Sequence, residues 1–210
     1  TTGISPIALA DASGYNIARD ITLNRFFGDL FGFTEKDLCR ALQEINVVDT
    51  EQNKVIETMK HYYNGYSFPG STSPLYNPTL SLFFLQQYHQ DDEFRKLVLD
   101  GKLDLQDVVD KNIKISENAF KLLCKAPVTN GLIQELSNEQ LPVHQTIVPE
   151  FKLRQIKEKV ETVEQVTQQR NLVASFMYYH GIITAKFAKS GKPIELQIPN
   201  EIGRSLFLAE

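Results

Sequence analysis

Two cysteines in 210 residues are too few to staple a small fold. The four histidines, His61, His89, His144 and His180, lack the spacing that a metal site needs. Cys39 and Cys124 lie in apolar helical patterns, Leu38-Cys39 and Leu122-Leu123-Cys124. They read as buried free thiols of a reducing, intracellular compartment, with a disulfide as the lesser alternative. No apolar run approaches the length of a membrane span, and no charged-then-apolar leader opens the chain, so no membrane is expected as a partner. The net charge of -4 argues against nucleic-acid binding by the whole surface and leaves only a local basic face for it. Internal repeats and low-complexity linkers are missing too. Methionine occurs only at Met59 and Met177, so a chain opening Thr1-Thr2-Gly3 is expected to be processed or cut from something longer.

The machinery of nucleotide hydrolysis is also missing. A phosphate-binding loop needs several glycines and a Lys-Ser or Lys-Thr pair opening a helix. Ser190-Gly191-Lys192-Pro193 puts proline where the hydroxyl belongs, and its surroundings read as a hairpin. No apolar strand ends in an acid placed to hold magnesium. Thr1 is in the place of an N-terminal nucleophile, but such hydrolases are β-sheet sandwiches and this chain reads as helical. Glu150-Phe151-Lys152 has the acid-x-lysine form of a nuclease site, yet the upstream acid on a neighbouring strand that would complete a metal site is missing. These charges read as a helix start. Lys152, Arg154, Lys157 and Lys159 interleave with Glu158, Glu161 and Glu164, the pattern of a solvated helix face.

What remains is a helical chain with local start and stop signals. Asn24 to Phe31 reads as a short helix ending at Gly32. Thr34-Glu35-Lys36-Asp37 resembles a capping box, with Leu38, Leu42 and Ile45 on one face behind it. A helix over about Thr50 to Tyr63 turns Val55, Ile56 and Met59 inward. Asn77-Pro78 opens another that carries Leu80, Phe83, Phe84 and Tyr88, and Asp91-Asp92-Glu93 opens the next. Ser116-Glu117 caps one with Phe120, Leu122 and Leu123, and a weak strand is predicted over Val143 to Val148. From Phe151 to about His180 the period is helical through Leu153, Ile156, Val160 and Val163, with a break expected near Arg170-Asn171 and an end at Gly181. Ile182 to Phe187 and Ile194 to Ile198 flank a hairpin turn, and Pro199-Asn200 starts a last helix through Ile202, Leu206 and Phe207. Helix, hairpin, helix at the end suggests a winged-helix-like module, with a soft boundary near Asp91 to Asp110. The fold class is therefore mainly α: a helical lid-type bundle followed by a winged-helix-like module with one β-hairpin. Lys186, Lys189 and Lys192 on the hairpin are its candidate nucleic-acid face.

The densest feature is His61-Tyr62-Tyr63-Asn64-Gly65-Tyr66-Ser67-Phe68, followed by Tyr76-Asn77-Pro78. Asn64-Gly65 supplies a tight reversal. The rings around it bury large areas and specify geometry, so the turn is expected to pack against a helical core, a ligand, or both.

These residues resemble a known family. Thr2-Gly3-Ile4-Ser5-Pro6, Gly14-Tyr15-Asn16-Ile17, Gly32-Phe33-Thr34-Glu35, Tyr63 to Phe68 and Tyr76-Asn77-Pro78 occur in order. Tyr178-Tyr179-His180-Gly181-Ile182-Ile183-Thr184 and Ile198-Pro199-Asn200 follow. Together they look like the latter part of the AAA-ATPase-like P-loop family, many members of which carry a restriction-like nuclease domain after the ATPase. The resemblance implies that residues 1–31 end a P-loop core domain, 32–100 form a helical lid and 101–210 a winged-helix-like module. It implies Thr2 or Ser5 as a polar sensor near the γ-phosphate, and Asn64, Tyr66 and Asn77 as residues close to the nucleotide. ATP and magnesium are implied for a full-length protein and no cofactor for this chain alone. The implied partners are an upstream P-loop domain and a downstream nuclease-like domain of the same protein. The expected function is regulatory, sensing nucleotide state and relaying domain movement. The alternative is a stand-alone winged-helix module that binds nucleic acid or protein.

Overall fold

Helices begin where short polar side chains accept the first free backbone N–H groups. In the computed structural model, which describes residues 21, 23–30, 32–108, 123, 127–138, 147–148, 153–156, 158–188 and 193–208, α1 spans Glu35–Glu44 behind a complete capping box. Asp37 N–H donates to the Thr34 side chain, and the Asp37 carboxylate accepts from Thr34 N at 2.9 Å and Thr34 Oγ1 at 2.6 Å. α2 runs Asp49–Tyr63, α3 Pro78–Gln90 behind the Asn77 cap, and α4 Asp92–Asp100 behind Asp91. A single turn, α5, covers Leu105–Val108. α6 spans Pro127–Ser137, α7 Leu153–Ile156 and α8 Val163–Tyr179. Strands β1 (Thr184–Phe187) and β2 (Pro193–Gln197) form a two-stranded antiparallel sheet, and α9 is Glu201–Leu208. The chain is mainly α with one β-hairpin. Among the described residues no helix is long and apolar enough to cross a membrane.

α2 is the hub, packing against α1, α3, α4 and α9, while α8 packs on α6 and α7. Val55 and Met59 of α2 meet a core that includes Leu38 and Leu42 from α1 and Phe84 and Tyr88 from α3. Phe84 sits at the centre of an aromatic group. Its ring lies edge-on to Tyr63 at 5.6 Å and to Phe94 at 5.3 Å, and stacks with Tyr88 at 6.2 Å. Tyr88 donates to Glu51 Oε2 at 3.1 Å, and Lys54 Nζ donates to the Leu99 carbonyl at the end of α4, where the helix dipole favours a cation. The buried apolar set continues through Val173, Met177, Ile182, Ala185 and Leu196 to Ile202 as one cluster.

Several local expectations are corrected. The helix expected over Asn24 to Phe31 is only a 3-10 turn, Arg25–Phe27, capped by Asn24. Gly28 lies against the backbone of Pro69 and Ser71, and the chain turns there; Gly32 caps no helix but leads into Phe33, which pairs with Tyr76. The break in the last long helix comes before Val163 and not at Arg170-Asn171. Thr162 and Gln165 form a second capping box, and Gln169 Nε2 donates to the carbonyls of Ile156 and Glu158, which closes the break. Val163, counted in the helical apolar period, is the first residue of α8 and is 79% exposed. Cys39 is a free thiol but only half-buried. Ile147 and Val148 are not in a strand. Cys124, the Ser116-Glu117 cap, residues 143–146 of the expected strand and the segment before residue 21 lie outside the described residues.

The first capping box has a measurable pH signature. Hydrogen bonds from the Thr34 hydroxyl and then its backbone N–H hold the Asp37 carboxyl below its ordinary range. A carboxyl depressed in the folded state stabilises it above the unfolded-state pKa, and that contribution is lost as pH falls through the folded one. Because Asp37 is exposed, Asp37→Asn is expected to cost only about 0.5 kcal/mol at pH 7. In urea titrations across pH 2 to 7 the gap between variant and parent should close toward the acid end. A gap independent of pH would show that the carboxylate charge is not what matters.

Candidate functional site

The turn after α2 is built into a row of lateral pairings. Phe33 N and Tyr76 O are 3.1 Å apart, with Tyr76 N donating back to Phe33 O at 2.8 Å. Next along the row, Tyr66 N donates to Leu75 O at 3.1 Å and Leu75 N to Tyr66 O at 2.7 Å. These are isolated antiparallel bridges, too short to make a sheet. The row ends on a side chain. Ser67 N donates to Thr184 Oγ1 at 2.9 Å, and the same hydroxyl lies 3.4 Å from Ser67 O, to which it donates. Thr184 is the first residue of β1, so its hydroxyl takes the place of a paired backbone.

Other bonds join the same two regions. Tyr66 OH donates to the Gly181 carbonyl at 3.1 Å, just past the end of α8. Asn200 Nδ2 donates to the Asn64 carbonyl at 2.8 Å, while its Oδ1 accepts from Gly203 N to cap α9. Gly65, at φ +101°, lies directly against the carbonyl of Pro199. Phe68 meets Tyr178 edge-on at 6.2 Å. At the other end of the turn, Asn64 Oδ1 accepts from Gly65 N, Asn77 N donates to Tyr63 O, and Asn77 Oδ1 caps α3 through Leu80 N. Tyr62 OH reaches Leu103 O at 3.1 Å. Most of the rings therefore tie elements together.

Burial sets the electrostatics here. It pushes the Tyr66 hydroxyl above its ordinary pKa, with hydrogen bonds from Asn200 and Asn77 opposing it. Burial, helped by Glu35 and Cys39, raises Tyr76 to about 12, and burial lowers His180, which stacks on Phe176 at 4.1 Å. Both tyrosines thus stay protonated at neutral pH, and the Tyr66 hydroxyl serves as a donor. None is tuned toward general-base work near pH 7. Among the described residues no group of three or more His, Cys, Asp or Glu is placed to hold a metal ion.

Of the residues singled out in the sequence, Asn64, Tyr66 and Asn77 are brought to one place. Thr2 and Ser5 lie outside the described residues. On the candidate nucleic-acid face, Lys186 Nζ pairs across the hairpin with Glu195 Oε1 at 2.9 Å, which offsets its charge; Lys189 and Lys192 lie outside the described residues. Sequence reasoning did not name Thr184, Gly181 or Asn200 as partners of the turn. Asn200 had a visible cap signal through its oxygen, but nothing local marks what its amide nitrogen reaches 136 residues away. Compared with protein-family models, with curated proteins and with solved structures, the chain gives no match.

Proposed function

We propose that this chain is the regulatory lid and winged-helix-like portion of an ATPase-like protein, sensing nucleotide state and relaying domain movement, and that it does not hydrolyse ATP alone. One observation carries the reading. Segments that bear the family resemblance, scattered from Phe33 through Asn64 to Phe68, Tyr76 to Pro78, Tyr178 to Thr184 and Ile198 to Asn200, converge on a single seam. A relay needs such a seam, because a shift of the lid helices reaches the hairpin only through contacts that join them. Residues 32–100 would be the lid and 101–210 the winged-helix-like module.

ATP and its magnesium ion would be held by a P-loop domain upstream, with Thr2 or Ser5 toward the γ-phosphate and the Asn64-to-Asn77 region as one wall. The described residues offer no carboxylate set for the ion, and hydrolysis rests on positioning by groups outside them. In a protein that carries the upstream region, ATP with magnesium is expected to slow amide exchange severalfold at residues 64–68 and 178–184. A longer protein that fails to bind ATP, or that binds it with these amides unchanged, overturns the reading.

A further inference from the structure

The C-terminal hairpin and α9 are joined to the first four helices by a polar seam beside the packing of α9 on α2. α2, α3 and α4 meet through Val55, Met59, Tyr63, Leu80, Phe84, Tyr88, Phe94 and Val98, all buried. The seam around the turn is polar at its rim: Tyr66 on Gly181, Ser67 on Thr184 and Asn64 on Asn200 join residues 115, 117 and 136 apart in sequence. Gly65, Tyr66, Ser67, Gly181, Pro199 and Asn200 are half-buried, while Asn64 and Thr184 are buried. Water can replace such bonds as they part, so each contributes a modest net amount, whereas exposing an apolar interface carries its full hydration cost. Beside the rim the buried apolar set runs through Ile182, Ile183, Ala185, Leu196 and Ile202.

What the seam holds has little stability of its own. β1 and β2 form a sheet of only two strands, and an isolated hairpin is marginal in water. α9 has eight residues, well short of the length at which an isolated helix persists.

The geometry points to a latch: the Asn64-to-Phe68 turn holds β1, β2 and α9 as one unit, which detaches and melts when the turn lets go while α1 to α4 stay folded. Thr184 is its central tooth, since one hydroxyl both accepts from and donates to Ser67. The unit would be the moving part of the relay proposed above, and in that use it rests on the nucleotide reading. The latch itself does not, because its bonds lie within this chain.

Native-state amide exchange on this chain without nucleotide separates the two. Thr184→Val keeps the shape of a side chain that is 1% exposed and deletes both bonds to Ser67. Tyr66→Phe deletes the bond to Gly181 together with the hydroxyl's contacts to Asn200 and Asn77. The double variant is expected to speed exchange of the β1, β2 and α9 amides by about tenfold or more. The amides of Val55, Met59 and Phe84 should keep their parent rates, and the faster exchange should depend only weakly on urea, as a small opening does. An equal acceleration everywhere overturns the latch, because the seam would then belong to one global unit. Unchanged exchange overturns it as well. If the double variant does not fold, Tyr66→Phe alone gives the same comparison, with the hairpin and α9 expected to respond severalfold.

Discussion

Gly65→Ala is expected to be the most damaging single substitution at the turn, costing about 2–5 kcal/mol from the left-handed backbone and the overpacking together. Two independent terms act there. The backbone is at φ +101°, where an L side chain is strained, and a Cβ would overlap the Pro199 carbonyl oxygen. That oxygen is backbone, so no rotamer change relieves the clash; either the turn or the Pro199 segment must move. Movement also disturbs the Asn200-to-Asn64 and Thr184-to-Ser67 bonds beside it. Gly101 gives the internal comparison. It has φ +67° and caps α4, but a Cβ there would meet nothing within 4 Å. Gly101→Ala should therefore cost only the backbone part, about 1–2 kcal/mol. Urea unfolding of the two variants measures the difference directly, and equal losses would show that the approach to Pro199 is looser than the structure has it.

Phe84→Ala is expected to cost about 3–5 kcal/mol, a large fraction of the stability of an ordinary domain. The side chain is fully buried on α3 and touches the rings of Tyr63, Tyr88 and Phe94. Its removal leaves a cavity walled by aromatic rings, whose size and stiffness limit collapse. Phe84→Leu keeps much of the volume and should recover more than half of the loss. Leu82, two residues earlier on the same helix, is 56% exposed. Leu82→Ala should change stability by less than about 0.5 kcal/mol, so the pair reads burial and not helix propensity. Thermal and urea midpoints of the three variants give the ranking, and a Leu82 effect as large as that of Phe84 would contradict the burial seen here.

How far the fold was legible depends on the range of each signal. The caps at Thr34, Asn77 and Asp91 are readable because a capping side chain and the N–H it serves lie within three residues. Thr162 and Gln165 form the same kind of box and were passed over, because the apolar spacing through Val160 and Val163 continues across the break. Spacing records which residues are apolar; whether they are covered depends on neighbours, and Val163 has none over its side chain to speak of at 79% exposure. The short Asn24 turn was overextended for a related reason. Its cap is real, but the close approach of Gly28 to the Pro69–Ser71 backbone ends the turn, and that contact spans about forty residues of chain.

The candidate site divides along the same line. From the residues alone, Asn64-Gly65 is a reversal, the rings around it belong to a packed place, and the last third carries a hairpin flanked by helices. Those conclusions rest on local backbone preferences and apolar period, which need no partner to be read. Which atoms the turn meets was decided only by the tertiary structure. Tyr66 finds the Gly181 carbonyl, Ser67 finds the Thr184 hydroxyl, and Asn64 finds the Asn200 amide. A hydroxyl or an amide accepts many partners of similar energy, so its chemistry does not name one. The packing of α2 against α9 and the ending of α8 just before Gly181 bring these particular groups within reach.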